Sequence, residues 1–168
     1  KENEFLSIKD ELEVKQINLK TGNVRDAKDA NVKLEVKEKN ALKEAIADNM
    51  VVETTELIVG GNIGKSAKIN AIDLKVHGQT HQKARIYADK AFINVHKGYI
   101  EGKEIEINRL ENGTVKGKKV KVKQAIGGKV IAEEVEFKIM GSHIEVYALK
   151  KIKIKIIKGN EINLLFLL

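Results

Sequence analysis

The side chains with reactive or ligating potential are four histidines, one glycine-rich run and a concentration of lysines, because cysteine is absent. His77 and His81 stand four residues apart, and imidazoles can hold zinc or nickel once further ligands join them. His96 would lie one coil above His77 in the repeat derived below. That pair falls on a turn rather than a helix, however, and no carboxylate stands at ligand spacing. The histidines are therefore read as surface residues and no metal is expected. Gly60-Gly61-Asn62-Ile63-Gly64-Lys65-Ser66 ends like a phosphate loop. Such a loop needs a glycine, four residues, then Gly-Lys-Ser opening a helix. Gly60 to Gly64 leaves only three between, and Ala67-Lys68-Ile69 continues as strand. No nucleotide cofactor is expected.

The lysines remain. Lys116, Lys118, Lys119, Lys121 and Lys123, with Lys150, Lys151, Lys153 and Lys155 two coils further on, form the candidate contact surface, and an acidic protein is the partner chemistry they suit. A net charge of +7, from 31 Lys and Arg against 24 Asp and Glu, would also attract nucleic acid or an anionic membrane. Readers of single-stranded nucleic acid interleave aromatics that stack bases. Tyr147 is almost the only aromatic nearby, so nucleic acid is not expected. The uncharged apolar run Leu164 to Leu168 is far short of the roughly 20 residues that a membrane-spanning helix needs. Glycan cleavage requires two carboxylates at a defined separation, or a carboxylate with a base or metal. Here the acids are spread in columns opposed by lysine, and aromatics that could stack sugars make up only 4% of the chain. No catalytic residue, no cofactor and no enzymatic activity are expected.

The elements that must position these side chains come from a repeat. A pattern of small, apolar, small, apolar and apolar residues runs through Ala67, Ile69, Ala71, Leu74 and Val76. It returns as Ala84, Ile86, Ala88, Ala91, Ile93; as Gly98, Ile100, Gly102, Ile105, Ile107; as Gly113, Val115, Gly117, Val120, Val122; and as Gly128, Val130, Ala132, Val135, Phe137. Looser copies are Met50, Val52, Thr54, Leu57, Val59 and Ile144, Val146, Ala148, Ile152, Ile154. The central small residue falls at 54, 71, 88, 102, 117, 132 and 148, in steps of 17, 17, 14, 15, 15 and 16.

Alternation with period 2, broken once by an extra residue, means two short strands joined at a corner. Gly or Ala belongs where the backbone bends inward and room is short. Ile, Val and Leu, stiff at χ1, fill the flat sides. Each copy is thus one turn of an all-β, single-stranded parallel β-helix with coils of about 14–17 residues. Steps that are not multiples of 6 favour the right-handed form. Two outward columns support the register. One reads Lys75, Phe92, Glu106, Lys121, Glu136, Lys153. The other reads Asp73, Lys90, Glu104, Lys119, Glu134, Lys150, with a one-residue insertion in the last coil. Alternating signs on adjacent strands contribute roughly 0.2–1 kcal/mol per pair.

Residues 1–168 are expected to form one β-helix domain, with irregular coils in 1–50, regular coils in 50–156 and a cap or truncated segment in 157–168. Leu12-Glu13-Val14 and Val32 to Val36 read as strands, and Ala41 to Ala47 as a short helix or a longer excursion. The chain opens at Lys1 rather than Met and reads as a piece of something longer. The absence of cysteine suits the cytoplasm.

Thr21-Gly22-Asn23-Val24, Gly60-Gly61-Asn62-Ile63-Gly64, the iterated coils and Ala125-Ile126-Gly127-Gly128-Lys129-Val130 together resemble the central region of the flagellar assembly protein A (FapA) family. The resemblance covers about residues 10 to 160. Single small residues at Ala71-Ile72-Asp73, Gly117-Lys118-Lys119 and Ala132-Glu133-Glu134 replace that family's commoner Ala-Gly-Gly-Asp corner. It implies a cytoplasmic bacterial protein needed for flagellum formation or polar placement, acting as a scaffold that binds protein partners of the flagellar or cell-pole machinery. It implies no catalytic residues. The alternative from another class is a bactofilin-like cytoskeletal β-helix that self-associates through its end coils.

Overall fold

A computed structural model describes residues 4–168. Its strands are β1 (Phe5–Ile8), β2 (Leu12–Val14), β3 (Asn23–Asp26), β4 (Lys33–Val36), β5 (Glu44–Ile46), β6 (Val51–Val59), β7 (Asn62–Ile63), β8 (Lys68–Gln79), β9 (Arg85–His96), β10 (Tyr99–Glu111), β11 (Thr114–Lys116), β12 (Lys119–Ile126), β13 (Gly128–Met140), β14 (Ile144–Ile157) and β15 (Leu164–Leu167). No helix occurs among the described residues. Every strand pairing is parallel, and the strands stack as a solenoid of about 10 turns.

The register is the one the repeat predicts. Val51, Lys68, Arg85, Tyr99, Thr114, Lys129 and Glu145 are successive Cα partners. Thr54, Ala71, Ala88 and Gly102 follow one another at the first corner. Ile69, Ile86 and Ile100 stack on one flat side, and Leu74, Ala91, Ile105, Val120 and Val135 on the next, all buried. Each fully buried Ile, Val or Leu contributes on the order of 2 kcal/mol. At the corner two consecutive residues face outward, as Ile72 and Asp73 do between buried Ala71 and Leu74. The small column follows from crowding there, since a Cβ on Gly102 would overlap the carbonyl oxygen of Ala88.

Two features differ from expectation, the third side and the place of the last insertion, and a third decides between the two readings of 41–47. The coil has a third side, whose inward column reads Ile17, Ile46, Ile63, Thr80, His96, Leu110, Ala125 and Met140. The segment 41–47 turns and enters β5, which pairs with β7, so it is an excursion and not a helix. In the last full coil the inserted residue comes before Lys151, which therefore takes the rung opposite Glu134. Lys150 instead reaches the corner carboxylate of Glu133 at 3.1 Å.

β15 pairs only with Glu145 to Ala148 of β14, where Tyr147 and Phe166 stack with centroids 4.9 Å apart. Ile156, Ile157 and Leu164 to Leu168 are exposed at that end.

Candidate protein-interaction surface

The solenoid sorts the predicted lysines by side and corner. Lys116 lies on the first side, beside its register partner Glu101, with Nζ 3.6 Å from the carboxylate. Lys118 sits at the first corner, its backbone N–H donating to Lys103 O at 2.9 Å. Lys119, Lys121, Lys151 and Lys153 occupy the second side, in the two alternating columns. There Lys119 meets Glu134 at 3.9 Å and Lys153 meets Glu136 at 3.5 Å. Lys121 stands between Glu106 and Glu136. These four are opposed by acids within the stack itself. Exposed pairs of this kind are worth roughly 0–1 kcal/mol each.

Lys123 and Lys155 are placed differently. Each follows the last inward residue of the second side, so it lies at the second corner, between the paired flanks Val122↔Phe137 and Gln124↔Ile139 or Phe137↔Ile154 and Ile139↔Ile156. Lys138 occupies the rung between them. The three are exposed, and no ion pair of the described residues includes any of them. Below them the column continues as Asn108 and Asn94, joined by a side-chain hydrogen bond of 2.9 Å. A shallow groove of about 240 Å³ runs beside this corner, lined by Lys121, Lys123, Lys138, Lys155, Glu106 and Phe92 among others. Lys138 was missed from sequence, although reading the column one residue past Val122, Phe137 and Ile154 reveals it.

The histidines do not gather. His77 and His143 are exposed, and His81 Nδ1 accepts a hydrogen bond from Lys83 N–H at 3.0 Å. His96 corrects the surface reading, since it is fully buried on the third side. Thr80 Oγ1 accepts from the backbone N–H groups of Lys97 (2.9 Å) and Gly98 (3.2 Å), leaving its hydroxyl hydrogen for His96 Nδ1 at 2.9 Å. The Nε2–H of His96 donates to Thr114 O at 3.2 Å. Burial pushes the imidazole down to about 4, so the ring is neutral.

The glycine-rich run bends into β7, and Ser66 adopts φ 58° before β8 opens at Lys68 as strand. A second polar concentration lies in a cleft of about 1030 Å³ lined by Glu44, Asp48, Asn49 and Ser66. Burial, then the hydrogen bond and repulsion from Asp48, raise the Glu44 carboxyl above its usual range.

Among the described residues, no helix is long and apolar enough to cross a membrane. No curated protein and no solved structure matches the chain. Comparison with protein families matches residues 10–166 to the Flagellar Assembly Protein A beta solenoid domain. With matching residues over nearly its whole length and a stack of parallel coils to carry them, the chain belongs to the FapA beta solenoid family.

Proposed function

We propose that this solenoid is a non-enzymatic scaffold of flagellum assembly or polar placement, working in the cytoplasm by holding protein partners along its coils. The family supports a role in flagellar assembly. The observation that carries the scaffold reading is the use to which the outward charges are put. Lys119, Glu134, Glu136 and Lys153 pair across adjacent coils, which makes them part of the stack rather than reagents of a site. A rigid rod with sides of fixed register offers many separated contact positions and undergoes little rearrangement on binding.

Deletion of the domain in the bacterium that encodes it, with the flanking regions kept in frame, is expected to reduce the number of flagella or to misplace them. Normal flagellation and swimming in that strain would remove the proposal.

The bactofilin-like reading keeps one observation in its favour, the exposed apolar residues Ile156, Ile157 and Leu164 to Leu168. Edge strands with apolar exposure invite pairing with a second molecule. A monodisperse monomer in sedimentation at high protein concentration would count against it.

A further inference from the structure

The lysines at the second corner depart from the alternation of charge that the neighbouring second side keeps. In the two columns of the second side, from Glu104 and Glu106 onward, Lys119 and Lys121 each have an acid on both neighbouring rungs, and Lys151 and Lys153 each pair with one. Lys123, Lys138 and Lys155 occupy three consecutive rungs with no acid between them. Neighbouring strands lie about 4.8 Å apart, so three ammonium-bearing side chains leave the backbone within about 10 Å of one another. Like charges in register oppose strand pairing. Beside the alternating columns of the second side, three like charges in a row add no stability, which leaves recognition as the use for them.

We propose that the Lys123–Lys138–Lys155 ladder, with the groove beside it, is the docking site for an acidic α-helix of a partner protein. This deepens the scaffold reading and rests on it. The spacing selects the helix. Carboxylates at i, i+3 or i+4, and i+7 of a helix span about 10.5 Å, close to the length of the ladder. An extended strand presents same-face side chains every 6.6 Å or so and falls out of step by the third rung.

The walls of the groove argue against the other polyanions. Glu106 and Glu136 line it together with the lysines. A continuous phosphate backbone or a flat anionic bilayer would meet those carboxylates, whereas a helix of mixed charge can set a cation against them. Phe92 is the one aromatic ring in the lining and offers an apolar seat, where a single-stranded nucleic acid would need a series of them. The hydrogen-bonded Asn108 and Asn94 extend the corner by two neutral polar rungs, so a helix longer than two turns continues over uncharged surface.

The test uses the whole chain and a designed alanine-based peptide whose glutamates repeat at i, i+4 and i+7, with binding followed by fluorescence anisotropy at low salt. Three comparisons accompany it: a peptide of the same composition with its glutamates scattered around the helix, a single-stranded oligothymidine, and vesicles containing phosphatidylserine. Replacing Lys123, Lys138 and Lys155 with Gln together is expected to weaken the striped peptide about tenfold. Replacing the exposed Lys28, Lys65 and Lys83 with Gln, an equal loss of charge, is expected to leave it within about twofold. Thermal unfolding of both variants at or above the wild-type midpoint keeps the comparison free of folding effects. The proposal is overturned if the striped peptide does not bind, if the scattered peptide binds equally well, if the two triple variants lose affinity alike, or if oligothymidine or the vesicles bind more tightly. Failure here with flagellation still dependent on the domain would discard this docking site and leave the scaffold function standing.

Discussion

Thr80 and His96 occupy adjacent rungs of one inward column and hold each other through a 2.9 Å hydrogen bond between Oγ1 and Nδ1. Their neighbours in the column, Ile63 below and Leu110 above, are buried apolar residues. The polar pair is tolerated because the hydrogen bonds to Lys97, Gly98 and Thr114 satisfy it.

Stability should therefore depend on pH through His96. The ring is held near 4 in the fold and titrates near 6.5 when unfolded, so between those values the unfolded chain binds the extra proton. Stability from this source is complete above about pH 6.5 and is lost as pH falls toward about 4, by no more than about 3 kcal/mol. Urea unfolding across that range, with His96→Leu as reference, checks it. The wild-type chain should lose stability relative to the variant on acidification, and parallel curves would contradict the assignment.

Corner geometry predicts unequal costs for two glycines. Gly102→Ala drives a Cβ into the backbone carbonyl of Ala88, which cannot swing aside, and should cost about 3 kcal/mol. Gly127, at φ +75°, would meet the Asn112 side chain, which can move, and its substitution should cost about 1–2 kcal/mol. Chemical denaturation of both variants should place Gly102→Ala lower.

Reversing a charge in an alternating column should destabilise the stack. Lys119→Glu sets a third acid between Glu104 and Glu134 and should cost about 1–2 kcal/mol at low salt. At about 1 M salt the penalty should shrink, since the screening length there is about 3 Å. Changing Glu104 and Glu134 to Lys in the same chain should restore the unfolding midpoint.

The unopposed column predicts the reverse sign. Lys138→Glu places an acid between Lys123 and Lys155 and should raise stability by about 0.5 kcal/mol while weakening the acidic helix. A residue retained at the expense of stability is what a binding surface leads one to expect. A drop in the unfolding midpoint would show that Lys138 serves the fold.

How much could be read from the sequence depended on which side of the coil was in question. Ile, Val and Leu alternate strictly about Ala71, Ala88 and Gly102, so two sides and their corner are explicit, register included. The third side is shorter and its inward column mixes Thr80, His96 and Ala125 with Ile63 and Leu110. Without a uniform apolar residue at each step, period-2 alternation does not announce it. That is also why His96 looked like a surface histidine. Burying it depends on a hydroxyl one coil below and a carbonyl one coil above, and neither is a local signal. Lys116 to Lys123 stood out as a cluster because they are close in sequence, but the fold distributes them over two sides and two corners. Lys138, isolated between Phe137 and Ile139, became visible only once the rungs were stacked.

The register that underlies every column can be measured with paired cysteines, because the native chain has none to interfere. Residues on adjacent rungs have backbones about 5 Å apart, within disulfide range, while the diagonal lies at about 7–8 Å. Under mild oxidation, Lys123→Cys with Lys138→Cys should bridge readily, and so should Lys138→Cys with Lys155→Cys. The diagonal pair Lys121→Cys with Lys138→Cys should bridge slowly. A diagonal pair that bridges as fast as the in-register pairs would contradict the ladder and the docking site derived from it.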